Sequence, residues 1–140
     1  MKYTVIGSGF SGLSTAAYLA KEGHEVHIFE KNDTIGGRAR QFKDKGYTFD
    51  MGPSWYWMPD VFDKFFKDFD KTPKDYYDLI KLNPGFQIIF PEAHTLKLSS
   101  DWKEVLALFE SYEPGSSKKL LSFMEEAEFK YNFGINKLVY

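Results

Sequence analysis

Three glycines and one acid near the N-terminus have the types and spacing to bind a dinucleotide. The segment GSGFSG places glycines at positions 7, 9 and 12, and 17 residues separate Gly12 from an acid, Glu30. Glycines in this pattern permit a sharp turn, a close approach of the backbone to a pyrophosphate and close packing of a helix. Glu30 would accept hydrogen bonds from the adenosine ribose hydroxyls. An acid there disfavours a ribose 2′-phosphate, so NADP is the least favoured dinucleotide.

A strand, a helix and a second strand are needed to position these residues. The apolar run over residues 3–6 predicts the first strand, and the small and apolar residues that follow predict a helix ending near Gly23. The segment EVHIFE, residues 25–30, predicts a second strand. Such a βαβ unit is parallel and right-handed.

The start of the predicted helix supplies the groups that would bind phosphate. The backbone N–H groups of Phe10 and Ser11 would point at the anion from the positive end of the helix dipole. The alternative is a glycine-rich turn in another kind of α/β protein, with Glu30 as a solvated strand end. Four features agree with the dinucleotide interpretation: the glycine spacing, the strand, the helix and the acid.

A second glycine-rich stretch, TIGGRAR, follows the acid within ten residues. Gly36 and Gly37 would let the chain lie against the extended part of a long cofactor, and Arg38 or Arg40 would supply fixed cationic donors. A simple nicotinamide-binding domain usually continues with another crossover helix instead. The doublet therefore favours FAD over NAD, with an ordinary loop as the alternative.

After residue 40 the pattern changes to short strands, turns and helices. We expect a hairpin turning at residues 44–46, a helix beginning at Pro59, short strands over residues 77–82, 86–90 and 95–98, a helix capped by Asp101 and a helix from Ser116 or Ser117. The predicted fold class is α/β: a Rossmann-like βαβ FAD-binding unit with an incomplete parallel sheet, followed by an α+β part with short antiparallel strands and helices. Residues 1–55 would be the N-terminal part of the FAD-binding domain, and residues 56–140 would begin a substrate-binding region.

Composition excludes several other functions. The chain has 140 residues, 18 basic against 20 acidic side chains, and no cysteine. Balanced charge gives no nucleic-acid footprint, and the absence of cysteine removes disulfides, thiolate metal sites and cysteine nucleophiles. The three histidines lack metal-ligand spacing, so we expect no metal. We expect a cytoplasmic protein, with peripheral contact to the membrane as an addition.

The joint pattern of VIGSGFSGLSTAAYLAKEGHEVHIFEKN, GGRAR and FDMGPSWYWMPDVF resembles the N-terminal segment of the FAD-dependent phytoene desaturases, carotenoid-forming members of the amine-oxidase-like flavoprotein superfamily. The resemblance covers at least residues 2–70. It implies an oxidoreductase that introduces double bonds into a carotenoid or other isoprenoid chain by hydride transfer to flavin. Another FAD-dependent oxidoreductase of the superfamily and a non-catalytic FAD-binding fragment are the alternatives.

The resemblance also implies roles for individual residues. Gly7, Gly9, Gly12 and Glu30 would hold the ADP half of FAD, Gly37 and Arg38 would lie along the pyrophosphate and ribityl chain, and Gly52, Pro53 and Ser54 would come near the flavin ring. The full set of candidate cofactor residues is Gly7, Gly9, Phe10, Ser11, Gly12, Glu30, Lys31, Gly36, Gly37, Arg38, Gly52, Pro53 and Ser54. No residue is identified as a catalytic acid or base.

An aromatic segment follows the predicted flavin contacts. Trp55, Tyr56, Trp57 and Met58 are candidate substrate residues, because an isoprenoid offers almost no polar group to recognise. With the phenylalanine face of the following helix they would line an apolar channel. Packing in a core is the alternative, since an apolar helical stripe usually faces a core.

Length sets a limit on activity. Members of the resembled family are several times longer than this chain, and a two-stranded parallel sheet is a poor domain on its own. We therefore expect an N-terminal piece of a longer enzyme. Alone, these 140 residues would bind FAD weakly and be inactive.

Overall fold

A computed structural model describes residues 1–52, 55–91 and 94–139. The chain divides into two compact units, unit 1 (Met1–Asp78) and unit 2 (Leu79–Tyr140), and each is described by itself. The predicted division after residue 55 concerns cofactor and substrate domains of a longer protein. The division into two compact units does not test this functional boundary, which stays a prediction.

Unit 1 begins with the predicted βαβ arrangement. Strand β1 (Lys2–Ile6), helix α1 (Phe10–Lys21) and strand β2 (Glu25–Phe29) follow in order. The two strands pair in parallel from Lys2 opposite Glu25 to Ile6 opposite Phe29. Gly23 ends the helix in a left-handed conformation with φ +80°, and its N–H donates to the Ala20 carbonyl at 3.0 Å. The Rossmann-like fold prediction is confirmed.

A hairpin follows the βαβ unit at the predicted place. Strands β3 (Gln41–Asp44) and β4 (Tyr47–Asp50) pair antiparallel, with Gln41 opposite Asp50. The two turn residues, Lys45 and Gly46, both have positive φ, at 46° and 83°. Such a two-residue turn has the twist that neighbouring strands require.

Helix α2 (Pro59–Asp68) has proline in its first turn and phenylalanines along one face, and a short 3₁₀ turn (Pro73–Asp75) comes after it. That face contacts α1 and the segment after the 3₁₀ turn. We call the connected rings the aromatic cluster: Phe10, Tyr18, Tyr56, Phe62, Phe65, Phe66, Phe69, Tyr76 and Tyr77.

Unit 2 is a hairpin followed by two helices. Strands β5 (Phe86–Ile89) and β6 (Thr95–Leu98) pair antiparallel, and helices α3 (Trp102–Tyr112) and α4 (Ser116–Phe133) continue into a π-helical turn (Gly134–Val139). The Asp101 carboxylate accepts from the Lys103 N–H at 2.8 Å, as an N-cap does. The predicted strand over residues 77–82 is wrong. This segment joins the two units and pairs with no strand among the described residues.

Little apolar surface is fully buried. Among the described residues the buried apolar side chains are Ala16 in unit 1 and Val105 in unit 2, and the one buried polar residue is Ser8. Ile6, at the end of β1, is 84% exposed. Each sheet has two strands and therefore only a small face against which side chains can pack, so few side chains are enclosed. No helix in the described ranges is both long enough and apolar enough to span a bilayer.

Candidate dinucleotide-binding site

The loop between β1 and α1 has the geometry of a phosphate-binding turn. Gly7 lies in the left-handed region at φ +94°, and its N–H donates to the Phe29 carbonyl at 2.7 Å, extending the parallel ladder by one residue. A Cβ on Gly12 would lie 2.0 Å from the Gly7 carbonyl oxygen, so only glycine allows α1 to pack this closely on the loop.

The first amides of α1 are available for an anion. The Leu13 N–H is bonded to the Gly9 carbonyl at 2.9 Å, as in the first turn of a helix. The N–H groups of Phe10, Ser11 and Gly12 precede it and therefore have no partner within the helix. Gly9 itself is open, because a Cβ there would meet only the Gly37 Cα, at 4.0 Å. The loop thus leaves a backbone cradle that a side chain would fill.

Glu30 lies one residue after β2 and is held by the phosphate loop. Its Oε2 accepts from the Ser8 N–H at 2.8 Å and from the Ser8 hydroxyl at 2.7 Å. Its Oε1 accepts from the N–H and the side-chain amide of Asn32 at 3.0 and 2.7 Å. The predicted ribose acid and the predicted phosphate loop are therefore in direct contact.

These hydrogen bonds stabilise the charged form of Glu30. The Ser8 hydroxyl, the Ser8 amide and the Asn32 amide together lower the Glu30 pKa from 4.5 to about 2, against a smaller effect of desolvation. The acid is ionised throughout the neutral range, as an acceptor of ribose hydroxyls must be. Sequence reasoning missed Ser8 and Asn32 as members of this site. Its only available signal was that a hydroxyl stands between two motif glycines.

The glycine doublet packs against the phosphate loop. The Gly36 N–H donates to the Ser8 carbonyl at 2.9 Å, and the two glycines have φ values of +105° and +60°. A Cβ on Gly37 would lie 3.0 Å from the Gly9 Cα. The doublet and the loop therefore meet backbone to backbone, and a side chain at Gly37 would push them apart.

Gly52, just after the β3–β4 hairpin, packs against the turn that follows the glycine doublet. A Cβ there would lie 2.9 Å from the Arg38 carbonyl oxygen and 3.1 Å from the Ala39 Cα. The structure thus places this predicted flavin-side glycine against the turn that follows the doublet. The neighbouring predictions Pro53 and Ser54 lie outside the described residues.

The predicted cations flank this arrangement. Arg38 is exposed, and no hydrogen bond or ion pair engages its side chain within residues 1–52, 55–91 and 94–139. Arg40 Nη1 donates to the Gly37 carbonyl at 3.5 Å, so this side chain supports the doublet. Lys31 lines an open groove of 1150 Å³ with Asn32, Gly36 and residues of the β3–β4 hairpin. Neither Glu30 nor residues 7–12 line this groove, which instead follows the chain from Lys31 onward.

The aromatic candidates separate into two environments. Trp55 and Trp57 are 61% and 62% exposed and contact each other with ring centres 5.9 Å apart. Tyr56 instead stacks on Phe62 at 4.8 Å, and its hydroxyl lies 2.5 Å from the Tyr77 hydroxyl. Partial burial, with the Tyr77 hydroxyl adding to it, raises the pKa of Tyr56. Tyr56 therefore packs against its neighbours although part of it is exposed, and Met58, the N-cap of α2, is exposed to the same extent, whereas the two tryptophans are far more exposed.

No metal centre is found in the part of the chain that the structure describes: no three His, Asp or Glu side chains come together there. His27 pairs with Glu25 at 2.9 Å, and His94 lies 2.9 Å from the Tyr112 hydroxyl. Both histidines therefore have structural neighbours.

Comparison with known proteins shows which families the chain resembles. The family described as NAD(P)-binding Rossmann-like domain matches residues 5–72, which include the phosphate loop, Glu30 and the doublet. A carotenoid 3,4-desaturase of Haloarcula japonica is 45% identical over 98% of this chain. A 4,4'-diapophytoene desaturase of Staphylococcus aureus is 42% identical over 94% of it. The chain is similar to the N-terminal segment of these carotenoid desaturases.

The match to these desaturases covers only part of their length. The chain spans 28% of the Haloarcula relative and 26% of the Staphylococcus relative. The crystal structure of the PF1083 protein from Pyrococcus furiosus is similar at a TM-score of 0.50 and 26% identity, over 81% of this chain and 29% of that one. The match to a Rossmann-like NAD(P)-binding family implies a dinucleotide cofactor for the site described above.

Proposed function

We propose that this chain is the FAD-binding, N-terminal portion of a desaturase that introduces double bonds into a carotenoid or related isoprenoid chain. The names of the relatives support the reaction class, since both are desaturases of carotenoid-type substrates. A matching Rossmann-like family supports the dinucleotide. The choice of FAD over NAD depends on the residues that follow Glu30.

The observation that carries FAD is the contact between the glycine doublet and the phosphate loop. The Gly36 N–H is bonded to the Ser8 carbonyl, and Gly37 lies against Gly9 with no room for a side chain. After β2 the chain turns back over the pyrophosphate cradle and enters a hairpin instead of a crossover helix. This path provides backbone along a cofactor that extends beyond its pyrophosphate. A nicotinamide-binding unit has no need of it.

The residues present fit such a cofactor. The amides of Phe10 and Ser11 would bind the pyrophosphate, Glu30 would accept from the adenosine ribose, and Arg38 would supply a cation along the extended chain. Gly52, Pro53 and Ser54 are proposed to lie toward the flavin, and Lys31 beside the ribose. When bound, FAD supplies the hydride acceptor for desaturation. The chain itself binds, orients and excludes water.

The exposed tryptophans are the proposed substrate contacts. Trp55 and Trp57, with Met58, present apolar surface next to the proposed flavin side. An isoprenoid would be held by such area and not by hydrogen bonds. Because the substrate dissolves in lipid, we also propose a cytoplasmic protein that contacts the membrane peripherally.

Calorimetric titration of this chain with FAD, ADP, NAD and NADP tests the cofactor. We expect FAD to bind weakly but about tenfold more tightly than NAD, because only FAD extends along the doublet, and NADP to bind least. Arg38→Ala should weaken FAD binding more than ADP binding, because ADP lacks the ribityl chain. Lys118→Ala, which removes an exposed cation elsewhere, is the control. Equal affinity for FAD and NAD would contradict the assignment.

The complete protein tests the reaction. Produced in a host that makes an uncoloured isoprenoid precursor, it should yield products that absorb at longer wavelength, whereas these 140 residues alone should yield none. Colourless products from a complete protein that retains FAD would favour another flavoprotein oxidoreductase. A folded chain that binds no dinucleotide would favour a non-catalytic module.

A further inference from the structure

Every acceptor position of the Glu30 carboxylate is already used. A carboxylate has about four lone-pair positions, two on each oxygen. Ser8 fills both positions of Oε2 through its N–H and hydroxyl, and Asn32 fills both of Oε1 through its N–H and side-chain amide. A ribose hydroxyl can therefore reach this carboxylate only by replacing one of these four donors.

The two halves of this network differ in how easily they exchange. Ser8 is 1% exposed, and all its polar groups are engaged, because its carbonyl also accepts from the Gly36 N–H. Asn32 lies in the exposed loop after β2 and lines the open groove. Its backbone N–H is fixed by the chain, but its side chain needs only a rotation to leave Oε1. The Asn32 amide is thus the donor that costs least to displace.

We propose that Ser8 is a positioning residue that anchors one oxygen of Glu30, and that the Asn32 side-chain amide occupies the other oxygen until a ribose hydroxyl replaces it. The ligand class is a nucleotide with a free ribose cis-diol. This inference rests on the proposed function, since it assumes that a dinucleotide binds at Glu30. It adds that Ser8 anchors Glu30 and that Asn32 exchanges with the ribose. Removing the first side chain should weaken nucleotide binding, and removing the second should strengthen it.

The anchor also links the parts of the site. Ser8 contacts Glu30 through two groups and the glycine doublet through a third. The ribose acid, the phosphate loop and the doublet therefore keep fixed distances from one another. Loss of the hydroxyl leaves Oε2 held by the Ser8 N–H without the hydroxyl, and this weaker anchor lowers the share of molecules whose carboxylate is oriented for the ribose.

The test is calorimetric titration of this 140-residue chain with ADP and with 2′,3′-dideoxy-ADP. Ser8→Ala should weaken ADP binding about five-fold, less than the loss of a whole hydrogen bond to a charged group, because the Ser8 N–H still donates to Oε2. Asn32→Ala should tighten ADP binding about three-fold. Neither variant should change dideoxy-ADP binding by more than about two-fold. Ser14→Ala, whose hydroxyl contacts only the Ser11 carbonyl, and Asn136→Ala, whose amide contacts the Asn132 carbonyl, are the matched controls.

The outcomes are distinguishable. If the unchanged chain binds neither nucleotide, the proposed function fails. If the unchanged chain binds ADP but Asn32→Ala weakens it, or if Ser8→Ala weakens both nucleotides equally, the present inference fails and the proposed function stands. Asn32 is exposed, so Asn32→Ala tests the exchange even where Ser8→Ala does not fold.

A ligand-free measurement checks the anchor separately. Titration of the Glu30 carboxyl carbon by NMR should show a higher pKa in Ser8→Ala than in the unchanged chain, and a smaller rise in Asn32→Ala. The order follows from the contacts, since the Ser8 hydroxyl lowers this pKa most and the Asn32 side chain least. An unchanged pKa in Ser8→Ala would overturn the anchor.

Discussion

The cofactor site and the aromatic cluster use different means to hold their shape, although both lie in unit 1. The site is built from backbone atoms at contact distance, with Ser8 buried between two glycines and hydrogen-bonded to Glu30. The aromatic cluster is built from half-buried and exposed rings whose centres lie about 5 to 6 Å apart, such as Phe65 and Phe69 at 5.0 Å. Backbone contact tolerates no added atom, whereas ring packing tolerates changes in proportion to the area lost.

The largest effect is expected where a side chain would enter the phosphate loop. Gly12→Ala places a Cβ 2.0 Å from the Gly7 carbonyl oxygen, so α1 must move away from β1. We expect a loss of more than about 4 kcal/mol in the free energy of unfolding, or no folded protein. Urea unfolding followed by circular dichroism measures it.

Gly134→Ala is the matched control for that substitution. Gly134 is helical, and a Cβ there would meet nothing within 4 Å. Alanine should leave stability unchanged or raise it by up to about 1 kcal/mol. If Gly12→Ala behaved like Gly134→Ala, the tight packing of α1 would be refuted.

Local patterns predicted the elements well and their partners poorly. Glycine spacing and apolar period report on backbone within a few residues, so α1, the hairpin turn and the Asp101 cap were all predictable. Ser8 was not, because its partner Glu30 is 22 residues away and nothing local distinguishes it from a spacer. The strand predicted over residues 77–82 failed for the same reason, since an apolar alternation does not tell whether a neighbouring strand exists.

The second prediction separates strain from function within the site. Gly37 and Gly46 both have positive φ, at 60° and 83°, but only at Gly37 would an added Cβ meet a neighbour, the Gly9 Cα at 3.0 Å. Alanine at either position should cost about 1 kcal/mol of stability from backbone strain. Only Gly37→Ala should also weaken FAD binding, by about tenfold, because it pushes the doublet away from the cradle.

Paired measurements of urea unfolding and FAD titration check this prediction. Gly46→Ala serves as the control, because the hairpin turn carries the same strain without a nearby atom. Equal losses of FAD affinity in both variants would mean that strain alone matters and that the contact of doublet and loop does not.

The third prediction concerns the two alternatives for the aromatic residues. Phe65 is half-buried against Tyr18 and Phe69, so Phe65→Ala should lower stability by about 2 kcal/mol, less than for a fully buried ring. Trp57 is exposed, so Trp57→Ala should change stability by less than about 0.5 kcal/mol.

The two variants should rank in the opposite order when the activity of the complete protein is measured. Trp57→Ala should slow desaturation if this surface contacts the isoprenoid, with its stability intact, whereas Phe65→Ala should act through stability alone. A large loss of stability in Trp57→Ala would mean that the tryptophans are packing residues and not substrate contacts.

The smallest effect is expected at the polar edge of the aromatic cluster. The Tyr18 hydroxyl donates to Asp68 Oδ2 at 2.7 Å, and Lys21 donates to the Asp68 carbonyl and lies over the Phe69 ring at 5.3 Å. Tyr18→Phe keeps the ring against Phe65 and Phe69 and removes only an exposed hydrogen bond. A loss of about 0.5 kcal/mol is expected, because water replaces the Tyr18 hydroxyl as a donor to the Asp68 carboxylate. Urea unfolding of Tyr18→Phe and Tyr18→Ala separates the contribution of the hydroxyl to stability from that of the ring. Equal losses of stability in the two variants would mean that this hydrogen bond, and not ring packing, holds α1 against α2. The aromatic cluster would then resemble the cofactor site, because both would depend on single atoms.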